Sequence, residues 1–252
     1  MLPIQIKQEA KNKKSRRQNK TLIGIYDYTV VLTYLSLLSA GTGIVVALSG
    51  NGHPFLGIFF LLFCGLCDAF DGKVASTKKN RSDTERKFGI QIDSLSDLIA
   101  FGVLPACIGA AFIRVSVGLN NIWQNGTNWV PLLLKGLIFG ILILYILTAM
   151  IRLAYFNVTE EERQSTETGA RKYYLGLPVT SASIIFPSVA LFQYLFPADL
   201  TWVYIAAVII TGILFITPFK IKKLKLRGIL VLVGIGTAEF IALIVAFILR
   251  HR

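Results

Sequence analysis

The 252-residue chain is 54% hydrophobic and 16% charged, far from the roughly one-quarter charged residues of a soluble globular domain, which excludes an ordinary soluble core and long-range disorder. Three cysteines and two histidines are too few for a disulfide framework or a standard structural zinc site. The net charge of +12 would point to nucleic acid in a soluble protein; in so apolar a chain it reads as membrane topology, and no nucleic-acid partner is expected.

Residues 1–27 form a basic segment with Lys7, Lys11, Lys13, Lys14, Arg16, Arg17 and Lys20. It has no apolar run followed by a cleavage site, so it reads as a retained cytoplasmic tail. Residues 28–252 read as a single membrane domain. Seven apolar runs follow one another near 28–49, 54–76, 89–116, 131–152, 175–196, 200–218 and 228–250, separated by polar or Gly/Pro breakers. About 20 helical residues cross a hydrocarbon core of roughly 30 Å. The expected fold class is therefore all-α, a polytopic integral membrane helix bundle of about seven spans, within a range of six to eight, the sixth being the shortest. Of the 26 lysines and arginines, 22 fall in the tail, in 73–87, in 152–172 or in 220–227. These segments alternate with the spans as loops of one side must, which makes that side cytoplasmic.

Acidic residues inside apolar runs are the informative exception, because a charge near the bilayer centre costs about 2.5–3.5 kcal/mol. The second run ends in DAFDGKVAS, residues 68–76, and the third begins GIQIDSLSD, residues 89–97. Asp68 and Asp71 are spaced i,i+3 and Asp93 and Asp97 i,i+4, so each pair lies on one helical face. Counted from the shared loop, the two pairs lie at roughly 7.5 to 12 Å and 6 to 12 Å along their helices. All four thus belong to one layer, open to the cytoplasm. Such a layer repels itself unless a cation sits within it. Oxygen-only ligands suit Mg²⁺ or Mn²⁺, and two ions can clamp the attacking and leaving oxygens of a phosphoryl transfer. Gly72 and Ala75 leave room for a nucleotide against the helix backbone. Two other readings stay open at this point: pairing of the aspartates with Lys73, Lys78, Lys79, Arg81 or Arg86 at the membrane surface, and a divalent-cation transporter lined by aspartates. The transporter is the weaker of these, since carrier sites lie near the midplane between repeats and no internal repeat is visible.

These residues resemble the signature of the CDP-alcohol phosphatidyltransferase family, D-x2-D-G-x2-A-R, a spacer of about eight residues, then G-x3-D-x3-D. Asp68, Asp71, Gly72, Ala75, Gly89, Asp93 and Asp97 occupy seven of its eight fixed positions. Ser76 stands in place of the arginine, and Thr77–Phe88 is 12 residues long. Lys73, Lys78 and Lys79 are the candidates to replace the missing charge. DSLSDLIAFGVLPA from Asp93 to Ala106, and RLAYFN from Arg152 to Asn157 followed by Gly176-Leu177-Pro178, are similar to the phosphatidylserine synthase branch, although Tyr155 replaces a second arginine.

The resemblance implies transfer of phosphatidate from CDP-diacylglycerol to the hydroxyl of L-serine, giving phosphatidylserine and CMP. By it, Asp68, Asp71, Asp93 and Asp97 hold Mg²⁺ or Mn²⁺, two ions in all, and Asp97 is also the general base. Asp68, Gly72, Lys73, Ala75 and Ser76 are implied in binding the nucleotide donor, and Arg152, Phe156 and Asn157 in the acceptor pocket. On topology alone Arg152 is equally a snorkelling anchor at the end of the fourth span. Membrane lipids are further partners, and a homodimer is left open. Glycerol 3-phosphate or inositol is the alternative acceptor; a phosphorylated one needs an added basic cluster, for which Arg163, Arg171 and Lys172 are available.

Three remaining signals read as structural. Cys64 and Cys67 form a CxxC inside an apolar helix and are expected to pack in the core. His53 and His251 fall on the side opposite the aspartates. Glu239, within the seventh run, needs a polar partner and is expected to serve helix packing or a lipid contact.

Overall fold

The computed structural model describes residues 23–50, 54–125, 129–166, 173–195, 199, 201–222 and 226–250. The basic tail up to residue 22, together with His53, Arg171, Lys172 and His251, lies outside the described residues. A 3-10 turn at Tyr28–Val30 leads into α1 (Val31–Leu48), which is followed by α2 (Pro54–Thr77), α3 (Asp83–Val115), the short α4 (Val117–Asn125) and α5 (Val130–Thr166). Strand β1 (Tyr173–Leu175), α6 (Ala182–Leu195), α7 (Thr201–Ile216), strand β2 (Lys220–Lys222) and α8 (Leu226–Arg250) complete the described chain. Among the described residues four helices are long and apolar enough to cross a membrane, and three shorter apolar ones accompany them. The chain is an all-α polytopic integral membrane protein.

Three boundaries and one helix interior differ from the sequence expectation. Helix α3 starts at Asp83 rather than Gly89, because Ser82 caps it: its Oγ accepts from Glu85 N at 3.2 Å while the Glu85 carboxylate accepts from Ser82 N at 2.9 Å, a reciprocal capping box. Helix α5 runs past Arg152 to Thr166, carried by helix-forming polar residues that leave the apolar run. The fifth apolar run does not begin as helix; Tyr173–Leu175 pairs antiparallel with Lys220–Lys222, and Gly176 turns the chain at φ +77°, a conformation that favours glycine. The middle of α3 widens into a π-helical stretch at Leu98–Val103. Pro105 explains it: proline lacks an N–H and its ring presses on the carbonyl four residues back, that of Phe101. The Tyr145 hydroxyl on α5 donates to that carbonyl at 2.6 Å.

Packing centres on α1, α2 and α3. Helix α1 turns a stripe of small residues inward, with Ser36, Ser39, Ala40, Gly43 and Ala47 buried, which lets backbones approach in a setting where van der Waals contact and interhelical hydrogen bonds drive association. Ser39 Oγ donates to Phe60 O at 3.1 Å and Cys64 Sγ to Ser36 O at 3.3 Å, joining α2 to α1, while Ser96 Oγ donates to Thr33 O at 3.2 Å, joining α3 to α1. Cys64 and Cys67 are buried free thiols, as expected of core residues. Helix α3 contributes the fully buried Phe101, Leu104 and Ile108, whereas α5 leaves Leu132, Leu133, Leu137 and Ile143 exposed as a lipid-facing side. Glu239 on α8 is buried and accepts a hydrogen bond from Ser188 on α6, which gives it the packing role expected.

Polar contacts gather at the helix ends. At one end Arg114 donates to Leu48 O and Ala47 O at 3.1 and 3.0 Å, and Ser116 to Asp199. At the other, β1 pairs with β2, and Lys78 bridges Asp27 at 2.7 Å and Glu85 at 3.1 Å. The 220–222 segment is thus tied to β1, and the 73–87 loop to Asp27.

The close helix seam yields a stability test. A Cβ at Gly43 would meet Phe60 Cβ at 2.8 Å and Leu104 Cδ1 at 3.0 Å, whereas one at Gly41 meets nothing within 4 Å. Gly43→Val should destabilise the protein by about 1–3 kcal/mol, as overpacking does, and lower its melting temperature in detergent, while Gly41→Ala leaves it unchanged or raises it. Equal melting temperatures for Gly43→Val and wild type would show that the seam is looser than described.

Candidate active site

Asp68 and Asp71 sit where α2 leaves its apolar stretch, and Asp93 and Asp97 lie ten and fourteen residues into α3, which starts at Asp83. The turn between them, Lys78–Ser82, is held by its own ion pairs. Lys78 and Thr29 hydrogen-bond Asp27 and hold its carboxyl down to about 2, so this anchor stays ionised throughout the physiological range. The same lysine reaches Glu85, which also closes the capping box of α3. Loop electrostatics therefore set the relative placement of the two aspartate-bearing segments.

Asp68, Asp71, Asp93 and Asp97 are all half-buried and interact as one group. The carboxyls of Asp71 and Asp93 lie within hydrogen-bonding reach of each other, and Asp97 feels Asp68, Asp93 and Asp71 as its charged neighbours. The Gly72 N–H donates to the Asp71 carboxylate. Ion pairs among the described residues engage Asp27, Glu85 and Glu160, and none of the four aspartates has a lysine or arginine partner there. The surface-pairing reading is thereby set aside: Lys78 is committed to Asp27 and Glu85, and Lys73 Nζ lies over the Phe70 ring, 5.3 Å from its centroid.

Among the described residues no three Asp, Glu, His or Cys side chains form a closed ligand set; the two pairs face each other and meet through Asp71 and Asp93. Like-charged oxygen donors gathered without a protein cation suit Mg²⁺ or Mn²⁺ and do not suit a metal that prefers nitrogen or sulfur. Asp68, Asp71, Asp93 and Asp97 are the residues that would hold it. Gly72 is exposed, and a Cβ there would meet nothing within 4 Å, so the backbone is open to a ligand beside the acidic layer. Ala75 is half-buried and Ser76 exposed; the Ser76 hydroxyl is spent on Lys73 O at 2.7 Å.

The residues of the RLAYFN segment approach the same layer from α5. Asn157 Nδ2 donates to Ser94 Oγ at 2.7 Å, and Ser94 adjoins Asp93 in sequence. Phe156 stacks near Tyr174 of β1, ring centroids 5.8 Å apart. Arg152 is buried at 6% exposure, with Nε donating to Leu177 O at 3.0 Å and its guanidinium 5.7 Å from the Phe156 ring centroid. The snorkelling reading of Arg152 is therefore corrected: it ties the Gly176-Leu177-Pro178 segment to α5. Asn157 reaches the aspartate helix directly, and Arg152 and Phe156 stand behind it. Ser94 and Tyr174 are neighbours that the sequence did not single out, although Ser94 lies within the DSLSDL motif.

Known proteins are similar to this chain over much of its length. The family model described as CDP-alcohol phosphatidyltransferase matches residues 29–218. A Saccharomyces cerevisiae CDP-diacylglycerol–serine O-phosphatidyltransferase is 34% identical over 134 residues, 52% of this chain and 40% of that protein. A Helicobacter pylori protein of the same name is 23% identical over 187 residues, 73% of this chain and 68% of that one. An archaetidylserine synthase of Methanothermobacter thermautotrophicus is 31% identical over 161 residues, 61% of this chain and 54% of that protein. The matched stretch thus spans less than half of the yeast protein and about two thirds of the bacterial one. No solved structure matches the chain.

Removal of one acidic ligand tests the cation reading. Asp71→Ala should weaken Mn²⁺ binding to the detergent-solubilised protein by about tenfold or more, since few carboxylates carry such a site. Calorimetric titration checks it, and unchanged stoichiometry and affinity in folded variant would count against the acidic layer as the binding site.

Proposed function

The chain belongs to the CDP-alcohol phosphatidyltransferase family, and from that premise we propose that it transfers the phosphatidyl group of CDP-diacylglycerol to L-serine, releasing CMP. The observation that carries this reading is that four aspartates from two helices lie within electrostatic reach of one another and form no ion pair among the described residues. The names of the three relatives all specify serine products or serine as acceptor. A cation transporter would use the aspartates but leaves Gly72, Gly89 and the RLAYFN contacts without a purpose.

The residues divide the work. Divalent ions, two of Mg²⁺ or Mn²⁺ in this reading, would supply charge neutralisation of the pyrophosphate and the leaving CMP. Gly72 and Ala75 admit the nucleotide against α2. Asn157, fixed by Ser94, presents its amide at the edge of the acidic layer and orients the acceptor, with Phe156 and Arg152 as its support. Asp97 accepts the proton of the serine hydroxyl as that oxygen bonds to the phosphatidyl phosphorus and the bond from phosphorus to the CMP oxygen breaks. A lipid donor requires a site within the bilayer and a water-soluble acceptor requires an opening, and the positive charge of the basic loops supports a cytoplasmic one.

Serine is favoured over a phosphorylated acceptor by the state of the basic residues beyond Asn157. Arg163 is bound to Glu160 on its own helix at 2.6 Å, which neutralises one member of the cluster a phosphate would need.

Purified protein with Mn²⁺ and CDP-diacylglycerol should release CMP with L-serine, and less readily with glycerol 3-phosphate or inositol. Preference for one of the latter reassigns the acceptor, and inactivity with all three contradicts the transferase reading. Asp97→Asn should bind donor and metal yet lose about 10²–10⁴ in turnover, the range of a positioned general base. Near-normal turnover at saturating serine would remove Asp97 from that role.

A further inference from the structure

We propose that Arg81, in the turn between α2 and α3, supplies the cationic contact to the donor's phosphates that Ser76 cannot make. The inference rests on the phosphatidyltransferase reading and adds a residue to it.

Its basis is the empty side-chain position of Gly89. A Cβ built there would lie 2.5 Å from Arg81 Nη2 and 3.7 Å from Arg81 Cζ, so the guanidinium occupies the place of a side chain at residue 89. Gly89 precedes Asp93 by four residues and Asp97 by eight, which sets all three on one face of α3. The Arg81 head group therefore rests on the aspartate face, one helical turn, or about 6 Å along the axis, from the level of Asp93. Any side chain larger than glycine at 89 would displace it.

The guanidinium is also underused. It carries five N–H donors, and its hydrogen bond among the described residues is a single long one, Nη2 to Glu85 O at 3.3 Å. Its Nε is buried without a partner. The nearby acids do not claim it, because Glu85 and Asp27 are both bound to Lys78. A planar fork with unspent donors beside an acidic layer suits a bidentate phosphate ligand.

The chain around it accounts for the arrangement. Ser76 is uncharged and its hydroxyl is bonded within α2. Thr77–Phe88 is longer than the spacer of about eight residues in the family signature, and the extra length carries a basic residue back over α3. Of the lysines expected to compensate, Lys78 is committed to its two acids, Lys73 lies over Phe70 and Lys79 is exposed.

Phosphate oxygens can come from the pyrophosphate of CDP-diacylglycerol or from the headgroup of a bulk anionic lipid, and the test separates them. Arg81→Gln, Arg81→Lys, Gly89→Ala and the pair Ser76→Arg with Arg81→Gln are assayed in detergent micelles free of other anionic lipid, with KM for donor, KM for serine and the affinity for soluble CMP as readouts. Loss of one charge-assisted contact should raise the donor KM of Arg81→Gln about 10- to 100-fold, weaken CMP binding by a similar factor and leave the serine KM unchanged. Gly89→Ala should act in the same direction, Arg81→Lys should fall between, and Ser76→Arg should recover part of the loss. Unchanged donor KM and CMP affinity in Arg81→Gln, beside an active wild type, overturn the proposal. An effect seen only with anionic vesicles assigns Arg81 to bulk lipid and overturns it too. Should Arg81→Gln fail to fold, Arg81→Lys decides: a raised donor KM supports the contact, an unchanged one contradicts it. Wild-type protein that releases no CMP with any acceptor defeats the transferase reading instead.

Discussion

Carboxylates repel one another more strongly where water is scarce, and each costs free energy merely to hold at membrane depth. This protein nevertheless brings Asp68, Asp71, Asp93 and Asp97 close enough to feel one another's charge from two helices and turns two neighbouring lysines elsewhere. Lys78 is drawn off by Asp27 and Glu85, Lys73 by the Phe70 ring. An acidic layer whose carboxylates form no ion pair among the described residues is costly by itself and becomes favourable when a divalent ion joins it. The rest of the bundle can be understood as the scaffold that sustains this repulsion.

That scaffold relies on α1. The first part of α3 packs on α1, through Ser96 and Thr33, and α2 packs on α1 through the small-residue seam at Ser36, Ser39 and Gly43. Both aspartate segments are thus referenced to a third helix that carries no acid in its span. Farther along α3, Pro105 releases the Phe101 carbonyl and Tyr145 recovers it, which fixes α5 against α3. Asn157 lies further along α5, where it meets Ser94. The acceptor side of the proposed site is in this way set by packing that begins deep in the core.

Much of this was legible in the sequence because it depends on spacing and composition. The seven apolar runs and the two aspartate pairs are local patterns, and most of the helices follow them. What was not legible depends on partners distant in sequence. The register of Tyr173–Leu175 with Lys220–Lys222 joins two loops that no periodicity connects. Arg152 read equally as an anchor or a ligand until its burial and its bond to Leu177 O gave it a holding role. The π-helical stretch had a visible cause in Pro105, but the relief supplied by Tyr145 required knowing which helix lies opposite. Gly89 was legible as a motif position, whereas the side chain that fills its space was not.

The central claim, that the acidic layer holds the divalent ions of a phosphatidyl transfer, is tested most directly by anomalous diffraction at the manganese edge from crystals of the protein grown with Mn²⁺ and CDP-diacylglycerol. Anomalous density between the Asp68/Asp71 and Asp93/Asp97 pairs, touching the donor's phosphates, is the predicted result. Donor bound with no manganese among these four carboxylates, or manganese ordered only elsewhere on the protein, would contradict it.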